Sequence, residues 1–168
     1  MYTVEQHLFN QGETVDKKRL INVSKKLMET ANSVYLTTVS GHGIPFTRAM
    51  LNLKNRKQYP SLVKFFAGQK GEVVVYFTTN TSSEKVKHIR KHPYVSVYYC
   101  NPKAFHGLML GGRIQIIKDN KVKKALWQKG WERYYPGGFD DPDHTVLKLK
   151  PTVARGWYQA APFTLKLK

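Results

Sequence analysis

Residues 73–92, VVVYFTTNTSSEKVKHIRKH, pass without interruption from a β-branched and aromatic run, through a hydroxyl-crowded turn, into a short helix. No other segment restricts the possible fold as tightly. The run 73–78 has the composition of a mostly buried strand and is too short to cross a bilayer. Thr81 and Glu84 have the spacing of a capping box, Val86 and Ile89 give the following helix an apolar edge, and Pro93 stops it. Lys85 is the anomaly. A cation in the first helical turn opposes the positive end of the helix dipole unless an anion is bound there. Two readings follow. Either backbone N–H groups, the hydroxyls of Thr79, Ser82 and Ser83, and the Lys85 ammonium converge on one phosphate, or this is a capped surface helix whose lysine points into water.

At 168 residues and 41% apolar composition, the chain predicts a single domain with a real core. No apolar run reaches the roughly 18 to 20 residues of a membrane span. The first residues, MYTVEQHLFNQGE, lack the basic start and apolar stretch of a signal peptide, so a cytoplasmic protein is expected. One cysteine, Cys100, excludes an intramolecular disulfide and reads as a small buried residue. The net charge of +17 calls for anionic partners. Its basic residues are dispersed, however, and no zinc-finger, helix-turn-helix or RNA-binding motif accompanies them. Specific nucleic-acid binding is not expected, while weak adhesion at low salt is.

Residues 16–31 have the periodicity of an amphipathic helix with Leu20, Val23, Leu27 and Met28 inward and Asp16 near its start. Strands are expected over 34–40 and 44–51, joined through Gly41, His42 and Gly43 as a hairpin. Segment 54–71 is polar with one apolar patch, a loop or short helix. Further strands fall at 94–100, 107–117, 145–149 and 153–158, and Gly111 with Gly112 predicts a bulge or a barrel corner. A last helix over 119–135 would carry Trp127, Trp131, Tyr134 and Tyr135 along one edge, either as core or facing a second subunit or a flat ligand. Six or seven strands with few helices predict a mainly β protein, an antiparallel barrel decorated by helices.

Over 34–158 the chain resembles the pyridoxamine 5′-phosphate oxidase-like family of FMN-binding split barrels, especially its general stress protein branch. The specific part is TTNTSSEK with its downstream HP. It is accompanied by the Arg48, Ala49, Met50 stretch, the strand GLMLGGRIQII, and the KKALWQKGWERYYPGGFDDPD segment. The resemblance implies a six-stranded antiparallel split β-barrel that forms a homodimer with FMN at sites between the subunits. It places Arg48 and Met50 along the flavin and its phosphate tail, Thr78 and Thr79 at the isoalloxazine or ribityl region, and Ser83 and Lys85 on the phosphate. Trp127 and Trp131 fall where the family places pocket or partner-facing residues. Three departures set the chain apart from the vitamin oxidases: Leu53 stands where their substrate-binding lysine ends the second strand, with Lys54 one place later; the C-terminal Arg-x-His element has no match; and Gly107 stands where they carry a flavin-contacting glutamine. Pyridoxamine 5′-phosphate oxidation itself is therefore not expected.

Other chemistries have weak support. His88 and His92 have i, i+4 spacing but no third ligand, and His7, His42, His106 and His144 fall in expected loops. Asp140, Asp141 and Asp143 beside Pro136, Gly137 and Gly138 read as a turn. No nucleophile motif is present, but a flavin carries its own chemistry. The expected function is FMN-dependent oxidoreduction of a small molecule in a dimer cleft, with NAD(P)H as a possible donor. The alternatives are a flavin-binding redox sensor or electron shuttle without turnover, and a split barrel holding haem or a deazaflavin.

Overall fold

One strand belongs to two sheets at once. In the computed structural model, which describes residues 16–69, 72–159 and 161–167, strand β5 (His106–Ile117) pairs antiparallel with β4 (Tyr94–Asn101) along one edge. Along its other edge it changes partner, from β7 (Val153–Tyr158) over 106–111 to β6 (His144–Leu149) over 114–117. The change occurs at Gly111 and Gly112. A Cβ on Gly112 would lie 3.1–3.2 Å from backbone atoms of Lys150, Pro151 and Thr152. The glycine therefore lets the β6–β7 turn cross the strand, the corner that the sequence predicted.

The remaining strands complete an antiparallel split barrel. β1 (Ser33–Val39) and β2 (Pro45–Leu51) form the expected hairpin, with Gly43 at φ +79° in its turn, and β3 (Val75–Asn80) pairs with β6. The order is β2-β1-β4-β5-β6-β3, and β2 comes against β3 to bring the two ends of the path together. An eighth strand, β8 (Ala161–Lys166), pairs with β7 and was not anticipated. No helix among the described residues is long and apolar enough to cross a membrane.

The continuous apolar run of β3 reflects burial on both faces. Val75 and Phe77 enter the barrel core with Leu36, Val97, Leu110 and Leu147, whereas Val74 and Tyr76 join an outer cluster with Leu53, Leu62, Leu126 and Val146. Helix α1 (Lys17–Thr30) closes the barrel with Leu20, Leu27 and Met28, and Asp16 caps it by accepting from the Lys18 N–H. Val23 is only half-buried. Ser24 takes the buried place on that face. The segment 54–71 contains a 3₁₀ turn and a short helix, α2 (Val63–Ala67), lying over the outer cluster. Helix α3 (Glu84–Lys91) follows β3.

Three expectations are corrected. The helix over 119–135 is a short α4 (Asn120–Leu126), followed by a separate 3₁₀ turn over 131–133. Gly130 adopts φ +93°, and the Gln128 side chain donates to the carbonyls of Leu126 and Trp127, so the chain leaves the helix despite its i, i+4 aromatic spacing. The capping box is absent, since the residue before α3 is Ser83 and no side chain caps the helix. His106 and His144 begin strands and are buried rather than lying in loops, while His7 and the N-terminal stretch lie outside the described residues.

The C-terminal end of α1 is held by two buried asparagines that nothing in the local sequence marks. Asn52 donates to the carbonyls of Met28 and Ala31, each at 2.8 Å, and Asn55 to those of Thr30 and Ala31. These are carbonyls that a helix end leaves without internal partners. Asn52→Ala is expected to destabilise the protein by about 1–3 kcal/mol, the penalty for orphaning buried polar groups. The check is a lower denaturant midpoint at unchanged slope.

Candidate functional site

Along β2, Phe46, Arg48 and Met50 share one face of the strand, exposed at Phe46 and half-buried at Arg48 and Met50. Met50 packs against the barrel core. Arg48 is half-buried and donates to the Leu36 carbonyl at 3.1 Å and to Thr38 Oγ1 at 2.8 Å. Thr38 is fully buried and lies 3.1 Å from Nδ1 of His88, itself buried on α3 and packed on the Phe46 ring. Because the guanidinium can only donate, the Thr38 hydroxyl is free to donate onward to His88 Nδ1. His88 is then the Nε2–H tautomer. The chain Arg48–Thr38–His88 thus ties strand β2 to helix α3.

Lys85, in the first turn of α3, meets Arg48 from the other side. Its Nζ donates to Thr79 Oγ1 at 2.9 Å. Burial lowers its pKa, and the positive charge of Arg48 lowers it further; burial lowers that of Arg48 as well. Neither cation has a carboxylate partner among the described residues, since Glu84, the acid nearest in sequence, pairs with Lys87 at 2.7 Å. The N–H groups of Glu84 and Lys85 at the helix start also lack an acceptor among the described residues. Two adjacent cations, a buried hydroxyl and free helix N–H groups are the donor set of an anion site.

The hydroxyl-rich turn is built differently from the expectation. Ser83, not Thr81, is the first residue outside the helix, and no side chain caps it. Thr81 instead shares a short hydrogen bond with Thr145 of β6, which draws it away from the helix. Ser83 Oγ donates to the Asn80 carbonyl at 2.7 Å. The Ser82 N–H donates to Asp143 Oδ1 at 2.7 Å, and Asn80 Nδ2 donates to Asp143 Oδ2 at 2.7 Å. An internal carboxylate therefore takes the part of the turn's backbone that the sequence assigned to phosphate. Those bonds, the Asn80 donation first, hold the Asp143 carboxyl below the usual aspartate range.

Thr78 and Thr79 project from opposite faces of β3. Thr79 joins Lys85 and Arg48, whereas Thr78 lines a cleft of about 180 Å³ with Leu51, Asn80, Trp131, Tyr134 and Tyr135. Trp127 lies behind this wall, edge to face with Trp131 at 5.8 Å. Both tryptophans pack around His144, whose Nδ1 meets the Phe139 carbonyl at 2.8 Å. The structure thus gathers Arg48, Thr79 and Lys85 at one site, with Ser83 at its rim, and Thr78 and Trp131 at a second. Thr38, His88 and Asp143 organise the first site, and their contacts span 50 and 61 residues of sequence.

The model of the family described as "Pyridoxamine 5'-phosphate oxidase like" matches residues 46–167, from inside the β1–β2 hairpin through β8. The chain belongs to that family. A solved protein from Clostridium acetobutylicum, related to general stress protein 26 of B. subtilis and of the pyridoxinephosphate oxidase family, is 32% identical over 91% of this chain and 97% of its own, with a TM-score of 0.71. General Stress Protein 26 of Bacillus anthracis str. Sterne is 18% identical over 86% of this chain and 96% of its own, with a TM-score of 0.63. A pyridoxamine 5'-phosphate oxidase-related, FMN binding protein from Nostoc punctiforme PCC 73102 is 16% identical over 87% of each chain, with a TM-score of 0.59. A heme binding protein from Mycobacterium smegmatis and an F420 reductase share the fold at 14% and 22% identity. No curated protein matches the sequence significantly.

Asp143 generates a pH prediction. Its folded pKa lies below the unfolded value, near 3.9 for an ordinary aspartate, so its contribution is complete above that value and is lost as pH falls through the lower, folded one. Asp143→Ala should therefore weaken the acid dependence of stability and speed amide exchange at Ser82. Unchanged exchange there would show that the carboxylate does not hold the turn.

Proposed function

We propose that this chain is an FMN-binding flavoprotein that works as a homodimer and catalyses oxidoreduction of a small molecule at the subunit interface. The observation that carries the reading is the pair of adjacent cations, Arg48 and Lys85, which only a bound anion neutralises. A flavin phosphate meets that need. Arg48, Lys85 and Thr79 would hold it, with the N–H groups of Glu84 and Lys85 completing the donor set. Family membership and the FMN-binding Nostoc relative support the choice of anion.

The dimer is supported by the outer face of β2-β1-β4-β5-β7. Ala49, Tyr35, Tyr98 and Met109 follow one another across four strands by register. On this exposed face Tyr35, Leu51, Tyr98 and Trp157 leave large apolar surfaces uncovered. The cleft at Thr78 points the same way. Its 180 Å³ falls short of the roughly 300–1,000 Å³ of sites that enclose a drug-sized ligand, so a second subunit is needed to cover a tricyclic ring.

FMN, when bound, supplies the hydride or electron transfer. This chain's residues bind, orient and shield. Leu51 and Trp131 offer an apolar wall that excludes water, and Asn80, kept in place by Tyr135 and Asp143, presents an amide at the cleft edge. NAD(P)H is the proposed donor. The identity of the vitamin oxidases is not carried over. Lys54, the nearest basic residue to the position of their substrate lysine, lies in a different cleft, away from Arg48 and Lys85.

The visible spectrum of natively purified protein, followed by FMN titration of the stripped form, tests the reading. A bound flavin spectrum and a micromolar or tighter site support it, whereas a haem or deazaflavin spectrum would assign the barrel to those ligands. Lys85→Met should weaken FMN by roughly 10- to 100-fold, the equivalent of about 1.5–3 kcal/mol for one charge-assisted bond. The ligand-free variant should remain folded, since a cation beside Arg48 has been removed. Tyr98→Glu should dissociate the dimer and release FMN together, as followed by light scattering and flavin fluorescence. A monomer that keeps FMN tightly would contradict a shared site.

A further inference from the structure

The second anomalous lysine of the chain is Lys54, in the turn after β2. Its backbone is fixed from two directions. The Lys54 N–H donates to Asn52 Oδ1 at 3.2 Å, and Asn52 and Asn55 are anchored on the end of α1. The side chain enters a cleft of about 130 Å³ between α1 and α2, with Glu29, Arg56, Tyr59, Val63 and Phe66 among its walls. That is the share of about four liquid waters at roughly 30 Å³ each, enough for a small organic molecule.

Within this cleft the ammonium has no hydrogen-bond acceptor and no ion pair among the described residues. Nζ lies 4.8 Å above the centre of the Phe66 ring. The one carboxylate on the wall, Glu29, pairs with Arg56 Nη2 at 3.1 Å. Three other lysines pair with a carboxylate, Lys87 with Glu84, Lys150 with Glu72 and Lys123 with Asp140. Lys54 lies over the Phe66 face in a cleft of mixed polar and apolar walls. Burial holds its pKa down to about 8, with Glu29 opposing the shift. At pH 7 roughly a tenth of Nζ therefore carries a free lone pair, the state in which a lysine acts as a nucleophile, and the fraction rises to half near pH 8.

We propose that Lys54 is a nucleophilic lysine and that its cleft captures a small carbonyl compound, an aldehyde or oxo acid, as a Schiff base. The Nζ lone pair forms a bond to the carbonyl carbon while the carbonyl oxygen gains a proton, giving a carbinolamine. The hydroxyl then leaves as water and the nitrogen loses its remaining proton, so that one carbonyl compound and one amine give one imine and one water with no change in oxidation state. In its ammonium form Lys54, with Arg56 against Glu29, leaves the open cleft one positive charge in excess, which draws in a carbonyl compound bearing a negative charge before the proton is lost. Tyr59 on the same wall has its pKa raised by burial, so its phenol stays protonated and can donate to the bound oxygen.

The site is independent of the flavin reading. The test uses the intact protein with glyoxylate as probe and cyanoborohydride to trap the imine, read by intact mass and peptide mapping. One addition at Lys54 is expected first, at least roughly tenfold faster than at the exposed lysines. Its rate should climb with pH and level off above about 8. Glu29→Gln should accelerate trapping at pH 7 by removing the carboxylate that favours the ammonium. Lys54→Arg should abolish this addition and leave FMN affinity unchanged. Labelling distributed over lysines in order of exposure, or a Lys54 rate still climbing steeply at pH 10, would overturn the proposal whatever the outcome for FMN.

Discussion

The mutual repulsion of Arg48 and Lys85 is the constraint around which the site is organised. Two cations placed side by side in partial burial are unfavourable for the ligand-free fold. The structure bears this through neutral acceptors: the Leu36 carbonyl, the buried Thr38 hydroxyl and Thr79. Those acceptors orient the cations without neutralising them. The Asp143 carboxylate is committed to Asn80 and Ser82. A site that keeps its charge uncompensated while fixing its geometry is prepared for an external anion, and the preparation depends on both cations being carried by elements that cannot drift apart.

That rigidity comes from the barrel. Arg48 sits on β2, in register with Leu36 of β1, and Lys85 begins a helix that leaves the end of β3. β2 and β3 are the two ends of the strand path, brought together by the closure that β5 allows when it changes partner at Gly111 and Gly112. His88 adds a direct tie from α3 through Thr38 to Arg48. The site therefore sits on the barrel's closing contact.

Much of this was legible in the sequence wherever the cause is local. The buried run of 73–78, the hairpin at Gly43 and the helix starting beside Lys85 each follow from composition and turn chemistry over a few residues, although the strand itself runs two residues later, Val75–Asn80. Lys85 was legible because a misplaced cation in a first helical turn is a local signal, whereas Arg48, on a strand, was marked only by the family resemblance. What escaped depends on contacts distant in sequence. Thr81 has the right spacing for a capping box but is claimed by Thr145, 64 residues on. The aromatic periodicity over 119–135 reads as one helix, yet Gly130 and the Gln128 side chain break it. β8 is itself a proline-containing, weakly alternating segment, and its strand character comes from pairing with β7. The opposite orientation of Thr78 and Thr79 follows from strand geometry alone, whereas the wall that Thr78 meets does not.

The central claim is that the cation pair recognises a phosphate, and comparing FMN with riboflavin tests it most directly because the two differ only in that group. Both would be titrated into the stripped protein by fluorescence quenching, at low and at high salt. The account predicts that FMN binds tighter by roughly two orders of magnitude or more at low salt, as two charge-assisted bonds of about 1.5–3 kcal/mol each require, with the gap narrowing as salt rises. Equal affinity for the two flavins, or a gap indifferent to salt, would contradict it.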